Sequence, residues 1–289
     1  MLRTLIAIAL VLLALPAAAA EVTQGTVEAT DGQTIAYDIR GAEHLSGGKP
    51  ALVFIHCWSC NRAFWREQLD VFAEDHAVVA LDLPGHGASS RSRQDWTLAA
   101  YAQDVATVVE ALELDRVVLI GHSMGGPVAL LAAALLPDRT LAVVCADTLH
   151  DADFKVPQEQ MDQWLAALRQ DFKGQVRHFM GTMVLKDDAL RQWIVEQALL
   201  ADQAALIQLM GEIGRFDQAA AMQAAAVPIR CINAKPYGGY SMPTNVEANR
   251  KYGDFAVIEM EGVGHFVQLE DPATFNSDLE QILTEVEQR

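Results

Sequence analysis

The run from Val117 to Gly126 constrains this chain more than any other stretch. Val117 to Ile120 are four consecutive apolar β-formers, the pattern of a strand buried on both faces, and Pro127 followed by Val128 to Leu136 reads as a helix. Between them, Gly121, His122, Ser123, Met124 and Gly125 have the G-x-S-x-G form of a nucleophile elbow. Such a turn holds its serine in a strained backbone conformation that lifts the hydroxyl off the sheet, and the flanking positions must be nearly free of side chain. Gly121, Gly125 and Gly126 meet that demand. A glycine-rich turn with an ordinary serine would share the motif; the strand before it and the helix after it are the context that separates the two readings.

The rest of the chain falls into place around this turn. Residues 22–28 and 33–40 alternate apolar and polar side chains about Asp31 and Gly32, which predicts an antiparallel edge hairpin. Short apolar runs at 51–55, 77–81, 141–146, 229–233 and 255–260 complete eight strands with the one at Val117. Helical spacing at 62–74, 97–114 and 272–287 separates several of them. This alternation predicts an α/β fold: a mostly parallel eight-stranded sheet with helices on both faces. Ligand sites of such sheets lie beyond the carboxyl ends of the strands, which puts His56, Trp58, Asp82 and Ser123 on one rim. From about 158 to 226 the strands stop and helical sequence takes over. The expected organisation is a core domain of residues 21–147 and 227–289, with residues 148–226 inserted as a helical cap. Trp164, Leu168, Phe172, Phe179, Met180, Met183, Trp193, Leu206, Met210 and Phe216 exceed what short helices need to pack on one another, so some should face the site.

Residues 1–20 read as a secretory signal peptide: Arg3 forms the positive end, Leu5 to Leu15 the apolar run, and Ala17 to Ala20 the small-residue cleavage site. The apolar run is short for a membrane-spanning helix, so the expectation is a secreted, periplasmic protein with no stable membrane anchor after cleavage. A formal charge of −17, or −17 − 1 = −18 once Arg3 leaves with the signal, argues against nucleic acid or an anionic membrane as partner. Four cysteines, Cys57, Cys60, Cys145 and Cys231, permit disulfides in an oxidising compartment, with three possible pairings. Cys57 and Cys60 have redox-motif spacing without a thioredoxin-like context; a local bridge stiffening a loop is the favoured reading, with Cys145 and Cys231 as free thiols in core strands.

A serine hydroxyl is a weak nucleophile near neutral pH, so a base must take its proton and a third group must hold that base in the right tautomer. Of eight histidines, His265 lies on a glycine-flanked loop after the final strand, at the same rim as Ser123. His56 and His122 adjoin the site as loop-shaping residues, and His86 occupies a turn, whereas His44, His76, His150 and His178 have no comparable setting.

Taken together, His56 to Trp58, Asp82 to Ser89, Gly121 to Gly126, Gly262 to Phe266 and Glu270 to Pro272 resemble the α/β-hydrolase superfamily over nearly the whole length after residue 20. The resemblance implies Ser123 as nucleophile and His265 as general base, with a carboxylate between them in chain order. Members commonly carry that acid in the loop after the penultimate strand. Here residues 234–243 hold no acid, and the first carboxylate beyond them is Glu247. In a minority of the superfamily the acid follows the strand after the nucleophile helix, where Asp147 stands, so Asp147 is favoured over Glu247. Cys57 replaces the glycine of the superfamily's usual His-Gly pair. The expected oxyanion donors are the backbone N–H groups of Met124 and Trp58.

The resulting expectation is a cofactor-free and metal-free serine carboxylesterase for small-to-medium acyl esters, its partner a small-molecule ester. A lactonase, a thioesterase or another reaction on the same triad is the alternative, as is a non-catalytic ligand-binding protein on this scaffold.

Overall fold

The computed structural model describes residues 21–236 and 242–289. The expected signal peptide lies outside the described residues, as does part of the acid-free loop at 234–243. Strands β1 (Thr23–Glu28) and β2 (Thr34–Arg40) form the antiparallel hairpin about Asp31 and Gly32, and β2 then pairs antiparallel with β4. Next come β3 (Ala51–Ile55), a 3-10 turn at Arg62–Trp65, α1 (Arg66–Phe72), β4 (Val78–Asp82), α2 (Leu98–Ala111), β5 (Val117–His122), α3 (Gly125–Leu135) and β6 (Thr140–Ala146). Five helices follow: α4 (Gln158–Gln170), α5 (Phe172–Thr182), α6 (Asp188–Ala198), α7 (Gln203–Arg215) and α8 (Gln218–Ala225). The chain closes with β7 (Ile229–Ala234), α9 (Val246–Arg250), β8 (Phe255–Met260), α10 (Val267–Glu270) and α11 (Pro272–Glu287).

The eight strands lie in the order β1-β2-β4-β3-β5-β6-β7-β8, parallel from β4 onward. Every residue of β3, β4, β5 and β7 is buried, as a sheet covered on both faces requires. Successive side chains point to opposite faces, so Val117 and Leu119 join one core while Val118 and Ile120 join the other. The first core is closed by α2, α3 and α8; the second by Trp65, Leu69 and Phe72 beside α1 together with Phe275, Leu279, Ile282 and Leu283 of α11. Among the described residues, no helix is long and apolar enough to cross a membrane.

The stretch read as one helical insertion is broken at regular intervals. Asp171, Asp187, Asp202 and Asp217 each accept a backbone N–H from the first turn of the helix that follows and so open it, and Asp171 is also the residue at which α4 ends. Helix α8 packs on α3 as part of the sheet-covering layer, whereas α6, α7 and Met183 at the end of α5 reach the loops at the strand ends, and α4 packs on α5 and α7. Trp58 donates its indole N–H to Leu206 O (2.9 Å), Ser59 its hydroxyl to Ala198 O (2.7 Å), and His265 its backbone N–H to Met183 O (2.9 Å). Of the ten large apolar side chains singled out in this stretch, Leu168, Phe172, Met180, Leu206 and Met210 are buried core, and Trp164, Phe179, Met183, Trp193 and Phe216 are partly buried.

Candidate active site

Ser123 stands in the two-residue turn between β5 and α3 with φ at 51°, the left-handed region that a non-glycine residue enters only under constraint. The constraint is close packing. A Cβ on Gly121 would lie 2.2 Å from Gly125 O, and one on Gly125 would lie 2.4 Å from Ile55 O, so the helix starts hard against the ends of β5 and β3. Ser123 N–H donates to Ala146 O (3.0 Å), which ties the turn to the last residue of β6.

Asp147 follows directly, also in a left-handed conformation (φ 44°) and 3% exposed. Its Oδ1 accepts the Ala234 N–H at 2.8 Å, and its Oδ2 lies 2.6 Å from His265 Nδ1. Burial opposes ionisation of Asp147, but the hydrogen bond and charge of His265 outweigh it and hold the carboxyl below its ordinary pKa. His265 is fixed from both sides of its peptide: its N–H donates to Met183 O, and its carbonyl accepts from His122 Nε2 at 2.9 Å. The structure therefore gathers Ser123, Asp147 and His265 at one place through their immediate neighbours. Glu247 is exposed on the first turn of α9 and forms no pair with His265.

The loop after β3 closes the other side. Cys57 and Cys60 are joined by a disulfide with a Cα–Cα distance of 5.2 Å, and Ser59 between them has φ at 64°. The backbone N–H groups of Trp58 and Met124 meet no acceptor among the described residues. Cys145 and Cys231 are buried free thiols in register on β6 and β7. Burial pushes the Cys231 thiol up, away from the reactive thiolate.

Three further histidines brace these loops in their neutral forms. Leu83 N–H donates to His56 Nε2 (3.0 Å), linking the ends of β3 and β4; Gln268 Nε2 lies 3.3 Å from His122 Nδ1. Burial lowers the pKa of His56 to about 4, and of His86 and His122 to about 3. Asp82 is structural: it ion-pairs with Arg62 and accepts the Arg62 and Ala88 backbone N–H groups.

Two residues near the site were given no role by the pattern of residues, although Glu270 stands in a stretch that carries the resemblance. Glu270 accepts Gly264 N–H (3.0 Å) and Leu185 N–H (2.8 Å), so one carboxylate ties the His265 loop to the segment after α5. His150, three residues past Asp147, brings its Nε2 to 3.8 Å from Asp147 Oδ1. Its i, i+3 spacing from an acid was the available signal, but its ring is oriented by residues on and after β7.

The sequence model of the family described as "alpha/beta hydrolase fold" matches residues 50–185. A serine hydrolase-like protein from Danio rerio is 42% identical over 106 residues, 36% of this chain and 32% of that protein. A non-heme chloroperoxidase from Streptomyces lividans is 35% identical over 153 residues, 50% of this chain and 54% of that protein. The chain thus spans 32% to 54% of the length of these curated relatives. An esterase from Exiguobacterium antarcticum superimposes with a TM-score of 0.80 at 19% identity, covering 91% of this chain and 100% of the other; at that identity the likeness is one of fold.

Proposed function

Because the chain belongs to the α/β-hydrolase superfamily, we propose that Ser123, His265 and Asp147 are the nucleophile, base and orienting acid of a carboxylic ester hydrolase. The observation that carries the reading is the 2.6 Å contact between His265 Nδ1 and Asp147 Oδ2 beside a serine held at positive φ. With Nδ1 committed to the acid, Nε2 is the nitrogen left to take the serine proton. Ser123 Oγ attacks the ester carbonyl as His265 accepts that proton, and the alkoxide that develops is held by the free N–H groups of Trp58 and Met124. His265 then returns the proton to the leaving alcohol, and water hydrolyses the acyl-enzyme by the same route. Helices α4 to α7 serve as a cap, and their apolar side chains favour a small-to-medium acyl group over a sugar or a peptide. Residues 1–20 direct secretion, in keeping with the Cys57–Cys60 disulfide.

The test is initial rates on p-nitrophenyl esters of increasing acyl length, with fluorophosphonate labelling alongside. The wild type is expected to turn over the short esters and to be labelled at Ser123. Ser123→Ala is expected to lose about 10⁴-fold or more in kcat while folding normally. Unimpaired turnover by Ser123→Ala, or a wild type that resists the label and hydrolyses no ester, lactone or thioester, would overturn the reading.

A further inference from the structure

The carboxylate of Asp147 faces two histidines. His265 holds Oδ2; on the other side, His150 Nε2 stands 3.8 Å from Oδ1. That distance is too long for a hydrogen bond, so the contact acts through the field of the ring. Its sign depends on which ring nitrogen carries the proton, and the surrounding hydrogen bonds decide this. Thr148 N–H donates to Asn233 Oδ1 (3.2 Å), which orients the amide. Asn233 Nδ2 therefore donates its two hydrogens to Thr148 O (3.1 Å) and Thr244 Oγ1 (2.9 Å), and lies 3.4 Å from His150 Nδ1. Thr244 Oγ1, already accepting from Asn233, lies 3.4 Å from the same Nδ1 and has its own hydrogen to give. With the Thr244 hydrogen directed at Nδ1, that nitrogen is an acceptor, and the neutral ring then bears its proton on Nε2, the nitrogen nearest Asp147. Asn233 is fully buried, and Leu149, the residue before His150, has φ at 54°, so the arrangement is built into the turn.

We propose that His150 is a positioning residue for the Asp147–His265 pair: its Nε2–H, fixed by Asn233 and Thr244, draws part of the Asp147 charge away from His265. The proposal rests on the reading of Ser123, His265 and Asp147 as the reacting group. The ionisable groups acting on His150 are Asp147 at the end of β6, His265 on the loop after β8 and Glu259 on β8. Burial lowers the pKa of His150, and His265 adds to this, while Asp147 and Glu259 oppose it; the net shift is downward and favours the neutral ring. Its effect is to keep Asp147 from stabilising protonated His265 too strongly, so that the base stays available at lower pH.

The test uses the whole protein in three forms: wild type, His150→Leu and His150→Gln, the last able to donate from a similar place. Two readouts are taken, the resonance of the His265 Nδ1 proton and the pH profile of kcat/KM on p-nitrophenyl acetate. In His150→Leu the resonance is expected to move downfield and the acid limb to shift to higher pH by about half a unit; His150→Gln should restore both. Unmoved readouts in His150→Leu, or equal changes in both variants, would overturn the proposal. Should His150→Leu fail to fold, the ¹⁵N shifts of His150 in the wild type decide: the Nε2–H tautomer supports the proposal and the Nδ1–H tautomer overturns it. Fluorophosphonate labelling keeps the two ideas apart. Labelled Ser123 with an unmoved resonance refutes the role of His150 alone, whereas unlabelled Ser123 refutes the hydrolase reading while the tautomer and the resonance still decide His150.

Discussion

Asp147, the proposed orienting acid, combines in one residue a left-handed backbone, a buried carboxylate and one hydrogen-bond partner on each oxygen. A conformation of that kind costs roughly 1–2 kcal/mol in a non-glycine residue, and the flanking bonds Asp147 N–H to Ile232 O and Ala234 N–H to Oδ1 hold it there. Asp147→Asn should keep the shape and lose the charge. A loss of about 10³ to 10⁴ in kcat with little change in melting temperature is expected, while the exposed Glu247→Gln should match the wild type. Parallel rates and thermal melts on the two variants check this. The same residue shows where sequence reading reaches its limit. A carboxylate directly after an apolar run could be located, but that β7 would bring Ala234 and Asn233 alongside it depended on a pairing between segments more than eighty residues apart.

At the scale of elements, the strands were legible because both faces of the sheet are buried and leave unbroken apolar runs, and the helices of the insertion were blurred because a mixed surface hides their ends. Their four aspartate caps are the signal that would have divided them. Asp187→Ala should cost about 1 kcal/mol by freeing the Leu190 N–H, measured by denaturant unfolding. Glu270 joins two elements, so its loss should act on the site as well as on stability. Glu270→Ala leaves the Gly264 and Leu185 N–H groups without their charged acceptor; a stability loss of roughly 2–3 kcal/mol and a fall in kcat exceeding any rise in KM are expected. The disulfide loop is the third such element. Replacing Cys57 and Cys60 by serine should lower kcat about tenfold through a looser Trp58 N–H, and ester kinetics on the folded double variant test it.

For the molecule as a whole, the three fully buried histidines His56, His86 and His122 set the response to acid. Their folded pKa values, about 3 to 4, lie below the unfolded value of about 6.5, so from there downward the unfolded chain binds more protons and stability falls with pH. Each histidine contributes a loss on the order of 2 kcal/mol at pH 5, and melting temperatures recorded between pH 7.5 and 5 should drop steadily with no matching change above pH 7.5. The strand order has a consequence of another kind. Ser123 and Asp147 end neighbouring strands of the sheet interior, whereas His265 arrives after β8, which lies at the border of the sheet with a neighbour on one side only. Warming that peels β8 away would carry off His265, the proposed base, and leave Ser123 and Asp147 where they were, so thermal inactivation should run ahead of global melting and reverse on cooling, a brittle activity carried on a durable frame.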